Sequence, residues 1–193
     1  MFFSRCRTIL ALLSLAALLA LTGCAANTVV PLRYQASTPK NGLTCSQPLT
    51  VLPCEDKRAD TLTIGTLGDG KRYYPANDPV EWISWAVFEE LKARGCDVKY
   101  REKASTAPAP KGYVVSGSFD KVNVEHGAAL TVKAGLRVRV KVEKDGAWVM
   151  EQNYSGERES LGVTYVDAAQ SVLASTLQYI LQDAATDVVK AAK

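Results

Sequence analysis

The chain has 193 residues, of which 23 are basic and 20 are acidic, so its formal net charge is only +3. A chain so close to neutrality gives no electrostatic reason to expect a nucleic-acid partner. Its length suits a single domain that buries its own core.

The first 24 residues have the layout of an export signal. Arg5 and Arg7 provide a positive start, an apolar run follows, and small residues precede Cys24. The apolar run is shorter than the about 20 residues that a membrane span needs. Leu21-Thr22-Gly23-Cys24 resembles the bacterial lipobox, in which the cysteine receives a lipid and the signal is cut just before it. The resemblance implies a signal peptide over residues 1–23 and lipidation at Cys24.

The predicted lipid group also indicates a location. A single acyl chain binds a membrane only marginally, at about 0.8 kcal/mol per buried CH₂, so the diacyl and N-acyl chains implied by the lipobox would give a durable anchor. Ala25 and Ala26 follow the cysteine, at a point where an aspartate would favour retention in the inner membrane. We therefore expect a protein held on the periplasmic face of the outer membrane. The alternative is an ordinary cleaved signal, or a weak N-terminal anchor, in which the cysteine occurs by chance.

The segment after the lipid site is predicted to be a flexible tether. Residues 24–47 are largely polar, contain two prolines and show neither a helical nor a strand period. A flexible segment of about 20 residues reaches roughly 25 Å. Residues 48–193 are then predicted to form one periplasmic domain.

Three further cysteines predict one disulfide and one free thiol, because exported proteins meet oxidising conditions. If residues 48–54 form an extended strand, Cys45 and Cys54 lie about 20 Å or more apart and cannot pair. A strand–helix–strand unit would bring Cys45 and Cys96 to the same edge of the sheet, provided that the two strands are neighbours. The spacing fits no zinc pattern, so we expect no metal and no cofactor.

The clearest helix start in the sequence lies at residues 78–79, well after the predicted strand at 48–54. Asp78 is a capping residue, Pro79 occupies the first helical position, and Gly95 provides a stop. The expected core-facing stripe consists of Val80, Ile83, Trp85, Val87, Phe88 and Leu91. Trp82 and Trp85 are accordingly interpreted as core residues and not as a ligand platform.

The residue pattern in the second half of the chain predicts several strands and a C-terminal helix. A strand is expected at 97–101, and a phase slip near Asp120 predicts a bulge or a bend in the strand that covers 113–125. Thr164 is expected to cap a long C-terminal helix. With the hairpin that lies between them, these elements predict an α+β domain in which a mixed, mostly antiparallel sheet carries two helices on one face.

That hairpin contains a row of basic residues. Residues 130–143 alternate between apolar and polar side chains and lead through a turn into 147–157. The basic residues that share one face are Lys133, Arg137, Arg139 and Lys141. Such a row could bind anionic lipid or lipopolysaccharide head groups. The alternative is the solvated face of an amphipathic strand, paired with acids such as Glu151 or Glu157.

The sequence offers little catalytic chemistry. His126 is the single histidine and is expected in an exposed loop. No serine stands in a Gly-x-Ser-x-Gly elbow, and Gly68-Asp69-Gly70-Lys71 lacks the spacing and the hydroxyl of a phosphate-binding loop. We therefore expect no catalytic residues and a protein that is not an enzyme.

One stretch resembles a known family. Leu52-Pro53-Cys54-Glu55-Asp56-Lys57-Arg58, followed by Leu62-Thr63-Ile64-Gly65, is similar to the Asp-x-Arg turn and Ile/Leu-Gly pair of YajG-type proteobacterial lipoproteins. The likeness covers residues 49–193, although the three cysteines and a Pro-rich loop depart from the family pattern. It implies an outer-membrane lipoprotein and supplies no catalytic residues. Asp56 and Arg58 are expected to fix the turn by local hydrogen bonds.

These patterns predict a non-enzymatic, membrane-anchored envelope lipoprotein that acts as an accessory or assembly partner of an envelope complex. The alternative is a lipid- or glycan-binding lipoprotein, such as an auxiliary subunit of a transporter. An apolar cavity between helix and sheet would favour lipid binding, whereas a flat exposed apolar patch would favour a protein partner.

Overall fold

The structure, a computed structural model, describes residues 27–37, 44–68, 70–102, 110–126 and 131–193. The predicted signal peptide and the predicted lipidation site, Cys24, lie outside these residues. Within the described part of the chain, nine strands form one mixed sheet and two helices pack on it. The predicted α+β class is confirmed.

The strands are β1 (Thr28–Val30), β2 (Leu49–Val51), β3 (Glu55–Asp56), β4 (Gly65–Gly68), β5 (Lys71–Pro75), β6 (Val98–Tyr100), β7 (Tyr113–His126), β8 (Thr131–Lys144) and β9 (Ala147–Leu161). The helices are α1 (Pro79–Ala93) and α2 (Tyr165–Ala191). Three long antiparallel strands, β7, β8 and β9, carry the sheet. On the other side of β7, the short strands β2, β3 and β4 pair with it in parallel, one after another.

The long strands follow the alternation of the sequence. The buried side chains of β8 are Val132, Ala134, Leu136, Val138, Val140 and Val142. They pack against the helices, while the intervening basic side chains lie on the opposite face. The register between β7 and β8 shifts between Phe119 and Lys121, so the bulge expected near Asp120 is confirmed.

Both predicted helix starts are capped as expected. The Asp78 carboxylate accepts a hydrogen bond from the Val80 N–H at 2.8 Å, and the Thr164 hydroxyl accepts one from the Asp167 N–H at 3.1 Å. Gly95, just after α1, has a φ of +77°, which favours glycine at a helix stop.

Two parallel pairs link the short strands into the sheet. β2 lies between β7 and β6 and runs parallel to both, so the β2–α1–β6 unit has adjacent parallel strands. On the other side, β4 pairs with β7 and with β5. Gly65 begins β4 with a φ of +141°, and a Cβ at this position would overlap the Val124 backbone. The close approach of β4 to β7 therefore requires glycine here.

Residues 27–37 are part of the domain, so the predicted flexible tether is wrong for this segment. β1 pairs in parallel with β5, Val30 is fully buried and Leu32 is only 6% exposed. The buried residues Val30 and Leu32 do follow a strand period, but the run is short and Pro31 interrupts it. We call residues 27–37 the N-terminal strap. The domain therefore includes residues before its predicted start at 48, whereas the signal peptide predicted over residues 1–23 stays a prediction.

Candidate functional site

Three aromatic side chains, Trp85, Phe88 and Tyr100, form an aromatic cluster on α1 and the edge strand β6. Trp85 stacks on Tyr100, with ring centroids 4.8 Å apart and planes inclined by 16°. Phe88 meets Trp85 edge to face at 5.1 Å. Trp85 remains 42% exposed. The cluster is thus an exposed apolar surface whose rings are held by a helix on one side and a strand on the other.

The exposure of Trp85 corrects the sequence prediction that it faces the core. At about 100° per residue, Trp85 lies roughly 200° around the helix from Ile83, on the side away from the sheet. Phe88 is half-buried at the border between the two sides. Trp82 is buried, as predicted, and its indole N–H donates to the Arg33 carbonyl at 3.1 Å.

An open cleft of about 240 Å³ lies beside the aromatic cluster. Its lining residues are Leu32, Tyr34, Asn77, Glu81, Trp82, Trp85 and Glu89. Asn77 fixes the strap at this cleft, because its side chain accepts from the Leu32 N–H at 2.8 Å and donates to the Leu32 carbonyl at 3.1 Å. The cleft combines aromatic walls with a few polar groups, a mixture that small-ligand sites share.

A buried carboxylate holds the strap on α1. Glu90 is fully buried and accepts hydrogen bonds from the Tyr34 hydroxyl at 2.5 Å, the Ser37 N–H at 2.6 Å and the Ser37 hydroxyl at 2.8 Å. Arg94 pairs with Glu90 at 2.7 Å and donates to the Gln182 carbonyl of α2 at 2.8 Å. Burial, reinforced by Glu90, raises the pKa of Tyr34 well above its usual range, so its hydroxyl stays a donor. We call Tyr34, Ser37, Glu90 and Arg94 the Glu90 clamp.

The sequence-based predictions did not include the Glu90 clamp, although part of its signal was present. Glu90 falls on the apolar stripe between Val87 and Leu91, and Arg94 follows at i+4. A charge on an apolar stripe with an opposite charge one turn later indicates a buried pair, because lone charges are rarely buried. The strap partners of Glu90 are 53 and 56 positions away, and no local pattern reveals contacts of that range.

The basic row of β8 is matched by acids. The four pairs are Lys133–Glu157 at 2.9 Å, Arg137–Asp120 at 3.4 Å, Arg139–Glu151 at 3.4 Å and Lys141–Glu143 at 2.8 Å. The pairing favours the solvated-face interpretation, since each basic group already has a counter-charge. The hypothesis that the row binds anionic head groups stays a prediction without a contact that supports it.

Glu157 provides a test of this charge pattern. It accepts hydrogen bonds from Lys121 and Lys133, each at 2.9 Å, and these bonds lower its pKa to about 2 from 4.5. A lowered folded-state pKa stabilises the protein above pH 4.5 and ceases to do so as the pH falls toward 2. We expect the stability lost in Glu157→Gln to shrink over this window, measured by urea unfolding at stepped pH. Glu159→Gln, on the same strand, is the matched control and should show a smaller change; equal pH profiles would contradict the prediction.

Asp56 and Arg58 close a turn, as expected. The Arg58 guanidinium donates to the Asp56 carboxylate at 2.7 Å and to the Thr63 carbonyl at 2.8 Å, and it lies 5.5 Å from the Phe119 ring centre. Its side chain is only 4% exposed. An open, polar cleft of about 350 Å³ borders the turn. Because the guanidinium donors are already engaged with the protein, Arg58 acts as a structural residue.

Cys45 and Cys96 form a disulfide bridge with Cα atoms 4.9 Å apart. This is the pair expected from parallel neighbouring strands, and Leu49 of β2 indeed lies opposite Val98 of β6. Cys54 is free and buried, and burial raises its pKa to about 11. A neutral, shielded thiol is a poor nucleophile, so Cys54 is a core residue.

The described residues contain little that points to catalysis. They include no group of three His, Cys, Asp or Glu side chains that could hold a metal ion. His126 ends β7 and packs its ring on Tyr165 at 4.5 Å, which corrects the prediction that it sits in an exposed loop. A cavity between the helices and the sheet measures about 10 Å³. That is room for about one water molecule and too small for an acyl chain.

No family model matches the chain, and no curated protein matches it in sequence. Among solved structures, it is similar to protein XCC0632 from Xanthomonas campestris, of family model DUF330, with a TM-score of 0.64 and 13% identity over 85% of this chain and 95% of that one. An uncharacterized protein has a TM-score of 0.50 and 10% identity over 84% and 99% of the two chains. These likenesses show a shared fold.

A weaker likeness is to a minor lipoprotein from Acinetobacter baumannii, with a TM-score of 0.37 and 11% identity over 74% of this chain and 89% of that one. A similarity of this size carries no argument about function. None of these three matches shows the YajG-type resemblance, which stays a prediction. In the described part of the chain, no helix has both the length and the apolar character needed to cross a membrane.

Proposed function

We propose that this protein is a lipid-anchored envelope lipoprotein that works by binding another envelope protein, as an accessory or assembly subunit, and not by catalysis. The lipobox ending at Cys24 supports a signal peptide and a fatty-acyl anchor of palmitate type. The residues after Cys24 favour the outer membrane, with the domain on the periplasmic face. The YajG-type resemblance is in keeping with this assignment.

The aromatic cluster is the observation that carries the proposal. Trp and Tyr are enriched among the residues that dominate protein interfaces, and they bind best where their orientation is already fixed. Trp85 meets both conditions, since Tyr100 and Phe88 hold its ring while 42% of its surface remains exposed. Lys92 lies 5.6 Å from the Phe88 ring centre and adds a charge at the rim of the surface.

Binding fits the chemistry of the described residues better than catalysis does. The Cys54 thiol is buried and neutral, and the ring of His126 packs on Tyr165. Neither side chain lies at the clefts beside Trp85 or Arg58, so the thiol and the imidazole are out of reach of a substrate bound there, and carboxylates are the acidic groups that remain. We therefore propose that the protein is not an enzyme.

Glycan binding is the alternative function, and the cleft beside Trp85 is the observation that favours it. Asn77, Glu81 and Glu89 bring an amide and two carboxylates to a partly aromatic wall, and these groups can hydrogen-bond sugar hydroxyls. The two carboxylates disfavour an anionic glycan. Lipid carriage within the fold has less support, because the cavity between helices and sheet is about 10 Å³.

Photo-crosslinking in intact cells tests the proposal. With p-benzoylphenylalanine at position 89, beside the aromatic cluster, we expect one discrete protein adduct. Trp85→Ala should reduce its yield by at least about tenfold, the effect of losing roughly 1.4 kcal/mol of binding energy. Trp148→Ala is the matched control, since Trp148 is 66% exposed but lies on β9, and it should leave the yield unchanged.

The other results would decide between the two functions. Equal loss of the adduct in Trp85→Ala and Trp148→Ala would refute the aromatic cluster as the binding surface. Absence of any protein adduct, together with Trp85-dependent binding of purified envelope polysaccharide, would replace the proposed function with the glycan alternative.

A further inference from the structure

The N-terminal strap enters the sheet from one defined edge. β1 runs parallel to β5, with Thr28 opposite Tyr73 and Val30 opposite Pro75. The chain that precedes Thr28 therefore points toward Lys71, where β5 begins. This edge is the one nearest to Cys24 along the chain.

The strand register shows which other elements reach the same edge. Gly65 lies opposite both Tyr73 of β5 and Val124 of β7, so this edge includes the end of β7. The next strand, β8, starts there at Thr131, which lies opposite Leu161 at the end of β9. α2 begins four residues after Leu161. We call the strand ends at Thr28, Lys71, His126, Thr131 and Leu161 the anchor edge.

Covalent geometry limits how far the anchor edge can stand from a lipid on Cys24. Asn27, the first residue of the strap, lies three positions after Cys24, a distance of at most about 11 Å along the chain. The opposite edge, at the β8–β9 turn, is 14 residues along β9 from Leu161, or roughly 45 Å. A lipid at Cys24 can thus hold only the anchor edge at a membrane surface.

The anchor edge also exposes aliphatic side chains. Leu161, the last residue of β9, is 76% exposed, and Val163, in the connection from β9 to α2, is 89% exposed. In water such exposure is unfavourable, whereas burial of aliphatic groups in the interfacial layer of a bilayer lowers the free energy.

We infer that the anchor edge rests on the membrane, with Leu161 and Val163 in the lipid interface. The inference depends on the lipid anchor of the proposed function. It gives the domain one orientation, in which His126 lies at the bilayer and Tyr113, the other end of β7, lies far from it. Tyr100 is level with Val115, because both lie opposite Val51, and Val115 is 11 residues from His126. The aromatic cluster then stands roughly 35 Å above the membrane, within reach of a periplasmic partner.

The orientation is also consistent with the ion pairs of the basic row of β8, because it requires few of these basic residues to contact the head groups. The row extends from Lys133, near the anchor edge, to Lys141, eight residues further along the strand. It runs away from the membrane over roughly 26 Å, so most of its members never meet the head groups.

An environment-sensitive dye tests the orientation on the mature, lipid-modified protein in vesicles of phosphatidylethanolamine and phosphatidylglycerol. A nitrobenzoxadiazole label is attached at Val163→Cys or, as the matched control, at exposed Ala147→Cys on the opposite edge. The native cysteines of the mature protein do not compete, because the lipid occupies the Cys24 thiol, Cys45 and Cys96 are bridged, and Cys54 is buried with a raised pKa. We expect the fluorescence of the label at position 163 to rise at least about twofold on vesicle binding. The fluorescence of the label at position 147 should not rise.

The outcomes separate the inference from the proposed function. Vesicle-bound, lipid-modified protein whose two labels respond equally would overturn the orientation while leaving the anchor intact. A protein that carries no acyl group on Cys24 by mass spectrometry, and that binds vesicles no better than Cys24→Ser, would overturn the anchor and with it the inference.

Discussion

Replacing Glu90 with alanine should lower the free energy of unfolding by about 3–5 kcal/mol, the cost of leaving one partner of a buried ion pair alone. The Arg94 side chain is only 7% exposed and would remain charged without its carboxylate. Tyr34 and Ser37 would lose their shared acceptor. Equilibrium unfolding in urea at neutral pH measures the change directly.

A neighbouring glutamate provides the control. Glu89→Ala makes the same chemical change one position earlier on α1, at a half-buried site beside the open cleft, and should cost less than about 1 kcal/mol. The Ser37 amide should also exchange its hydrogen much faster in Glu90→Ala, since its acceptor is the Glu90 carboxylate. Equal losses in the two variants, or an unchanged exchange rate, would show that the clamp does not hold the strap.

The Glu90 clamp connects the two surfaces that the proposals use. The strap runs from the anchor edge at Thr28 to the cleft wall at Leu32 and Tyr34. If the strap detached, the cleft would lose this wall and the domain would regain the freedom of a long tether. A buried ion pair is weak evidence for net stability, but here its geometry requires the strap to be in place.

The parts of the fold that the sequence predicted well are those set by local physics. The alternation of β8 has a period of two, interrupted only at Gly135, because one face of the strand packs on helices and the other meets water. Caps at Asp78 and Thr164 depend on residues two or three positions away, so they are visible in the sequence. Long-range pairing could be inferred only for Cys45 and Cys96, where the β2–α1–β6 unit limits the choices.

The parts that were missed depend on distant partners. β1 and β5 have three and five residues, and the sheet context makes them strands, since neither would be stable alone. The Trp85 error had a different cause, because helical geometry already places that position opposite Ile83. Its apolar character suggested the core, yet the ring packs on Tyr100 of β6 instead.

Removing the disulfide bridge should also lower the free energy of unfolding by several kcal/mol. Cys45 and Cys96 are 51 positions apart, and in the chain-entropy model a loop of that size contributes about 4 kcal/mol by restricting the unfolded chain. We therefore expect the variant with both Cys45→Ser and Cys96→Ser to lose about that much stability in urea unfolding. The closed loop contains all of α1, including Trp85 of the aromatic cluster and Glu90 of the clamp.

Reductant provides the internal control for this prediction. Treating the parent protein with a phosphine reductant should produce the same loss as the double substitution, whereas treating the variant should add nothing, because Cys54 is unpaired and buried. Peptide mapping of the non-reduced protein should recover a Cys45–Cys96 linkage. A linkage that involves Cys54 would require β2 to leave its place between β6 and β7, since Cys54 lies inside the core there and Gly117 of β7 sits against its sulfur. The cysteine map is therefore a test of the parallel β2–α1–β6 unit itself, independent of any stability measurement.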